Sequence, residues 1–220
     1  MRVLLAGGSG LVGGLVLQRL IASAGVERVS ALGRTARSQR TGPAAKVSDL
    51  VTDYVEPPSA LEPHYDAVLL CLGTTAKRAG SAEAFRRIDH DFAVRVAQWG
   101  RARGAKLCGF VSSVGADAKS PSLYLRTKGE TENDLAGRAF QSLQVFRPSF
   151  LKGRPTFNWR ERYGAAVCET MYWIGLGPKS GALRPVAAES VADAMAGCLA
   201  REDDGVRIWH YRDIAAARSA

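Results

Sequence analysis

Val3-Leu4-Leu5-Ala6-Gly7-Gly8-Ser9-Gly10-Leu11-Val12-Gly13 opens the chain. An apolar run ends in glycines, and apolar residues then return at helical spacing at Leu11, Leu15, Val16 and Leu20. The pattern predicts a buried strand over 3–6, a turn, and a helix over 11–24. Gly7, Gly10 and Gly13 each answer a steric demand of that junction. The first permits a tight turn, the second lets backbone approach a pyrophosphate, and the third lets the helix pack close to the sheet. A helix starting here presents free N–H groups and positive potential to phosphates. Glycine also marks ordinary turns, so the signal lies in its placement between the first strand and the first helix. Gly7, Ser9, Gly10, Leu11, Val12 and Gly13 are the contacts expected from this loop.

Outward from that junction the chain alternates strands and helices. Strands are expected over 28–33, 46–50, 66–73, 106–112, 143–146 and 206–211. Helices are expected over 82–103, 123–140, 161–174 and 189–201. This order predicts an α/β fold, a doubly wound parallel sheet with helices on both faces. Right-handed crossovers then gather the strand C-termini along one edge. After Pro148 the pattern loosens among glycines and prolines. One domain is expected over 1–220, with residues from about 150 to 190 forming a small C-terminal substrate lobe over that edge.

Composition limits the alternatives. Of 220 residues, 46% are hydrophobic and 23% charged, which is globular and not disordered. A chain of this length needs neither disulfides nor a metal to fold. Cys71, Cys108, Cys168 and Cys198 show no paired spacing, and no histidine follows at zinc spacing, so no metal is expected. Cys71 and Cys108 sit in strand-like runs as inert core thiols. No G-x-S-x-G turn supports a Ser-His-Asp triad. No apolar run suits a membrane span. The apolar N-terminus is too short for a secretory signal, so the expected location is the cytoplasm. A net charge of +9 suits an anionic partner such as a phosphorylated cofactor. The basic cluster from Arg95 to Lys106 lacks interleaved aromatics and reads as a solvated face, not a nucleic-acid groove.

The end of the second strand selects the cofactor. A carboxylate there would take ribose hydroxyls. Ala31-Leu32-Gly33-Arg34-Thr35 supplies Arg34 instead, with Arg37 close by. A guanidinium pairs well with phosphate, which favours NADP(H) over NAD(H). Asp49 and Leu50, ending the third strand, are placed at the adenine edge; a plain loop cap is an equal reading of Asp49.

Tyr124-Leu125-Arg126-Thr127-Lys128 is a Y-x-x-x-K, with both side chains on one helical face. A free tyrosine ionises only near pH ~10. A neighbouring ammonium favours the phenolate, so the pair can exchange a proton with a carbonyl or alcohol oxygen. Ser112-Ser113 closes the preceding strand, where a hydroxyl could bond the reacting oxygen.

Together, the glycine triplet, Ser112-Ser113 and Tyr124/Lys128 resemble the short-chain dehydrogenase/reductase superfamily of NAD(P)-binding Rossmann proteins. Four stretches are similar to its atypical, Tat-interacting-protein branch. They are Cys71-Leu72-Gly73-Thr74-Thr75, Val111-Ser112-Ser113-Val114-Gly115-Ala116-Asp117, Leu123-Tyr124-Leu125 with Lys128-Gly129-Glu130, and Val145-Phe146-Arg147-Pro148. The resemblance runs from residue 1 to about 150. It implies that Leu72, Gly73 and Thr74 line the cofactor, Tyr124 is the proton donor and acceptor, and Lys128 bonds the nicotinamide ribose. Ser113, or Ser112, would orient the substrate carbonyl, with Ser113 preferred. Phe150, Leu151 and Arg154 would lie near the nicotinamide or substrate. Val114-Gly115 stands where sugar-nucleotide dehydratases carry an Asp-Glu pair, which lowers a dehydratase reading. The chain is also short for a sugar-nucleotide epimerase.

The expected activity is an NADP(H)-dependent oxidoreductase acting on a partly apolar carbonyl or alcohol, as a monomer or homodimer. The apolar segment 157–176 would shape the pocket, or serve as a lid or dimer surface. A cofactor-binding regulator without turnover, a nucleotide-sugar epimerase, and a nucleic-acid or membrane-surface binder are the other readings.

Overall fold

The computed structural model describes residues 1–35, 42–152, 184–201 and 203–217. All seven expected strands form. β1 spans Arg2–Ala6, β2 Arg28–Gly33, β3 Val47–Val51, β4 Ala67–Leu70, β5 Leu107–Val111 and β6 Ser142–Phe146. Two short strands not expected from the pattern, β7 (Leu151–Lys152) and β8 (Val186–Ala187), pair with each other. β9 spans Gly205–Trp209 and closes the main sheet. The sheet order is β3-β2-β1-β4-β5-β6-β9, with every pair parallel. Successive connections therefore turn outward from β1 in one direction and from β4 in the other. The crevice beyond the C-terminal ends of β1 and β4 is where such a sheet receives a ligand.

Strands buried on both faces explain the near-continuous apolar runs of the sequence. On one face, Val12, Val16 and Leu20 of α1 (Leu11–Ala22) meet Val191 and Met195 of a later helix under Val3, Leu5 and Leu69. On the other, Phe92, Val96 and Trp99 pack against Leu4, Val68, Leu70 and Phe110.

The helix expected over 82–103 is not continuous. A single turn, α2 (Ala76–Ala79), precedes α3 (Ala82–Arg86), which Ser81 caps through the Ala84 N–H. A π turn over Arg87–Asp91 then leads into α4 (Phe92–Arg101). The wider turn rotates Asp89 and His90 inward, and both are buried. α5 spans Leu123–Ala136, stopping four residues short of the expected end at Phe140. Its Gly129 lies against the loop after β5, where an added Cβ would overlap Ala118 N and stand 2.7 Å from Asp117 Cα. That close approach seats α5 beside the sheet edge. α6 (Ala188–Gly197) follows β8, and α7 (Tyr211–Ala216) ends the described chain with a reciprocal His210–Asp213 cap. The helix expected over 161–174, the apolar segment 157–176 and most of the expected lobe lie outside the described residues.

Candidate active site

At the crevice, Gly7 takes φ +84, the left-handed region. A Cβ there would overlap the Cys71 carbonyl and lie 2.7 Å from Leu72 N. A Cβ on Gly13 would overlap the Gly7 carbonyl oxygen and reach the Cys71 Cβ at 3.0 Å. The loop, α1 and the end of β4 thus interlock through missing side chains. Gly10 is the cap residue of α1; no side chain bonds the helix there, and no acid stands in the first turn. The positive end of the helix is left to a phosphate, so these residues fit a dinucleotide. Ser9 and Gly10 are exposed on the loop, Leu11 is half-buried, and Val12 turns into the core.

Beside the loop, a cleft is lined by Gly8, Ser9, Leu32, Gly33, Arg34, Thr35 and Asp49. Arg34 and Asp49 therefore share one recess with the glycine loop. Leu50 follows strand alternation to the opposite side and packs against the core around Leu32 and Tyr54. Arg37 lies outside the described residues. Behind Leu32 the recess is supported by a buried residue the sequence did not suggest. Tyr54 has φ +64, stacks on Phe92 with ring centroids 4.8 Å apart, and donates its hydroxyl to the Leu32 carbonyl at 3.2 Å. Burial pushes its phenol up to about 12, with the Arg34 charge acting in the opposite direction.

The second half of the site lies on α5 and the ends of β4 and β5. Tyr124 is 40% exposed, and its ring is tilted against Phe85 at 6.0 Å. One turn on, Lys128 is only 3% exposed. Its ammonium donates to the Val111 carbonyl at 3.2 Å, lies 3.0 Å from Asp89 Oδ1, and sits over the Phe110 ring at 5.0 Å. Burial works against the Lys128 charge, but Asp89 and then Tyr124 outweigh it and hold its ionisation above the ordinary lysine value. The segment after β4 joins the two halves. The Cys71 carbonyl lines the Gly7 turn, and Thr74, three residues on, reaches the carboxylate beside Lys128. Leu72 packs on the core, Gly73 is exposed, and the Thr74 N–H donates to Asp89 Oδ2 at 2.8 Å.

The two serines are separated by their surroundings. Ser112 is buried and donates its hydroxyl to Glu132. Ser113 is half-buried, and among the described residues its hydroxyl bonds only the adjacent Val114 carbonyl, at 3.3 Å. Of the two, Ser113 is the hydroxyl easier to release to a ligand. Glu132 is fixed from the other side by Arg147, with Nε–Oε1 at 3.0 Å and a second contact to Oε2. The Arg147→Met variant should lose roughly 3 kcal/mol of stability, because it strands a buried carboxylate. The double variant with Glu132→Gln should regain most of that in urea unfolding. A loss below about 1 kcal/mol in the single variant would contradict the network's role. Phe150 is exposed and Leu151 half-buried in β7; Arg154 lies outside the described residues.

Burial pushes the thiols of Cys71, Cys108 and Cys198 up, to about 12 for Cys71 and Cys198, which suits unreactive core groups. Cys168 lies outside the described residues. Among the described residues, no group of three His, Cys, Asp or Glu side chains could hold a metal. No described helix is long and apolar enough to cross a membrane.

Comparison with known proteins places this arrangement. The NAD dependent epimerase/dehydratase family matches residues 3–138. Protein FMP52, mitochondrial, of Lodderomyces elongisporus is 36% identical over 203 residues, covering 86% of this chain and 82% of that protein. Protein HTATIP2 of Rattus norvegicus is 34% identical over 152 residues, covering 68% of this chain and 62% of that protein, in agreement with the branch the sequence resembles. Among solved structures, MoeE5 in complex with UDP-glucose and NAD superposes with a TM-score of 0.66 at 15% identity, covering 98% of this chain and 80% of that one. The expectation of a cytoplasmic location is corrected here. It rested on an apolar N-terminus too short for a secretory signal, which says nothing of other compartments, and the FMP52 relatives are named mitochondrial.

Proposed function

The chain belongs to the NAD dependent epimerase/dehydratase family, and from that premise we propose that it is an NADP(H)-dependent oxidoreductase acting on a carbonyl or alcohol substrate. The observation that carries this reading is that the segment after β4 touches both halves of the site: the Cys71 carbonyl closes on the Gly7 turn, and the Thr74 N–H is bonded to Asp89, whose carboxylate lies 3.0 Å from the Lys128 ammonium. A dinucleotide laid on the N-terminus of α1 would extend toward the Tyr124/Lys128 pair.

In this reading Gly7, Ser9, Gly10, Leu11, Val12 and Gly13 hold the pyrophosphate. Arg34 takes the 2′-phosphate of the adenosine ribose and Asp49 borders the adenine, while Leu50, turned to the opposite side of β3, supports the recess through the core instead of flanking the base. Leu72, Gly73 and Thr74 form the floor toward the nicotinamide, with Lys128 bonding its ribose and Ser112, Leu151 and Arg154 nearby. The bound cofactor would supply hydride to the carbonyl carbon. Tyr124 gives its phenolic proton to the carbonyl oxygen as the charge develops there. Lys128 favours the resulting phenolate, and Ser113 donates to the same oxygen and orients it. In alcohol oxidation each proton transfer reverses. Residues from about 150 to 190 supply the substrate lobe.

Arg34 makes the cofactor choice testable. Purified protein is titrated with NADPH and with NADH, following nicotinamide fluorescence. NADPH should bind more tightly, and Arg34→Ala should weaken it by about 10-fold or more, the worth of a charge-assisted phosphate contact, with NADH unchanged. Equal affinities, or an equal loss for both, would remove the phosphate role of Arg34. The family match also admits a nucleotide-sugar epimerase, in which tightly held cofactor would copurify and be recycled.

A further inference from the structure

Lys77, Arg78, Arg87, Lys106, Lys119 and Arg212 are exposed, and among the described residues their side chains make no hydrogen bond, ion pair or ring contact. Their placement is uneven. All but Lys106 lie where the chain has left the C-terminal end of a strand: Lys77, Arg78 and Arg87 between β4 and α4, Lys119 between β5 and α5, and Arg212 in the first turn of α7. At the opposite edge basic groups are mostly answered. Arg2 meets Glu27 at 3.3 Å, Arg28 meets Glu62 at 4.0 Å, and the Lys46 ammonium donates to the Ser23 and Val26 carbonyls at 2.7 and 3.0 Å. Unanswered positive charge is therefore gathered on the edge that holds the crevice, where it raises the local concentration of anions.

Two of the segments that carry these charges are fixed in place and lead to Tyr124. The Thr75 carbonyl accepts the Arg78 and Ala79 N–H groups, both at 2.9 Å, and Phe85 brings the α2–α3 segment against the Tyr124 ring. On the other side, Asp117 Oδ1 accepts the Lys119 N–H at 2.8 Å, and the Asp117 N–H donates to the Leu125 carbonyl at 3.2 Å. The Arg126 guanidinium donates to the Ser120 carbonyl at 2.9 Å, so the Lys119 loop is tied to the first turns of α5. The acids of these segments are engaged locally: Glu83 in the cap formed with Ser81, Asp117 by the Lys119 backbone, and Asp91 by Arg86 at 3.1 Å. Lys77 and Arg78 on one side and Lys119 on the other are left unanswered beside a tyrosine that is 40% exposed.

We propose that Lys77, Arg78 and Lys119 are specificity-determining residues that select an anionic substrate. The substrate is a carbonyl compound, or the matching alcohol, that carries a carboxylate or phosphate away from its reacting carbon. The anionic group is held at the rim by these three side chains, the apolar part lies along the Tyr124 and Phe150 rings, and the carbonyl reaches the Tyr124 hydroxyl. The proposal rests on Tyr124 as the proton donor and acceptor, but its test reads binding separately from turnover.

The probe is 8-oxononanoate, a methyl ketone, with its methyl ester as the neutral twin. Each is titrated by calorimetry into the full chain, with and without NADPH, and NADPH oxidation is followed in parallel. The acid should bind at least about 10-fold more tightly than the ester, the worth of a charge-assisted contact, and the preference should shrink as salt is raised. Lys77→Gln/Arg78→Gln/Lys119→Gln should bring the preference below about 2-fold; the three side chains are exposed and unpartnered, so the fold survives. Lys106→Gln, at the opposite edge, should leave the preference intact. Failure of the acid to outbind the ester, or a preference that survives the triple variant, overturns the proposal. A matching loss of NADPH affinity in the triple variant assigns the charges to the cofactor and overturns it too. So does cosedimentation with phosphatidylglycerol vesicles in place of an acid preference, which assigns them to a membrane surface. Acid preference without NADPH oxidation would sink the oxidoreductase reading and leave the anion site standing; oxidation of both twins at equal affinity would do the reverse.

Discussion

Tyr124→Phe is expected to lower carbonyl turnover by about 10²- to 10⁴-fold, the usual worth of a positioned general acid. NADPH affinity should stay within about 2-fold, because the hydroxyl contacts substrate and not the pyrophosphate or the 2′-phosphate. The substitution isolates chemistry from folding. Tyr124 is 40% exposed, its ring contact with Phe85 survives as phenylalanine, and a half-exposed hydroxyl adds little stability. Kinetics and fluorescence titration on one preparation read the two effects separately. A variant retaining more than about a tenth of wild-type turnover would remove Tyr124 from the acid–base role.

The second large effect is expected at Gly13. Even the single methyl of Gly13→Ala would overlap the Gly7 carbonyl oxygen and stand 2.7 Å from the Gly7 carbonyl carbon. Neither neighbour is a flexible side chain that can swing aside. Gly7 is itself confined by the Cys71 carbonyl and its positive φ, so α1 must move bodily away from the loop. Overpacking of this kind costs about 1–3 kcal/mol or more. At about 2–4 °C per kcal/mol for a chain of this size, the melting temperature should fall by roughly 2–12 °C. Displacing the helix terminus from the phosphates should weaken NADPH by about 100-fold. Gly10→Ala serves as the contrast, since its Cβ meets only the Gly7 oxygen at 3.3 Å, and it should keep stability near wild type. Wild-type affinity in Gly13→Ala would contradict the proposed seat of the pyrophosphate.

The centre of the sheet was readable because its strands are buried on both faces. Val3–Ala6 and Ala67–Leu70 needed no tertiary information to stand out as apolar runs, the first ending in glycine and the second starting after Asp66. The glycine loop was readable for a related reason: each glycine answers a clash that the structure locates at a named backbone atom. The helix over 82–103 was misread as continuous because Phe85, Ile88, Phe92 and Val96 keep an approximately helical spacing across the π turn. What opens the turn is tertiary. Asp89 is drawn to Thr74 and Lys128, and His90 to Asp134, partners 15 to 44 residues away.

Asp89 itself carried no local signal, but Glu132 did. Tyr124, Lys128 and Glu132 recur every four residues, so the third member of that helical face was visible beside the two that were recognised. Ser112 and Ser113 could not be told apart along the chain. They differ only because strand alternation turns Ser112 toward Glu132 and leaves Ser113 at the edge. Tyr54 was missed because nothing in Asp53-Tyr54-Val55 announces a left-handed backbone.

The most direct measurement follows deuterium from C4-deuterated NADPH, incubated with the full chain and a panel of partly apolar aldehydes and ketones. The account predicts stoichiometric NADPH oxidation with deuterium on the carbinol carbon of the product, abolished in Tyr124→Phe. NADPH that binds but is never consumed would contradict it in favour of a cofactor-binding regulator. Deuterium returned to the cofactor during turnover of a nucleotide sugar would contradict it in favour of an epimerase.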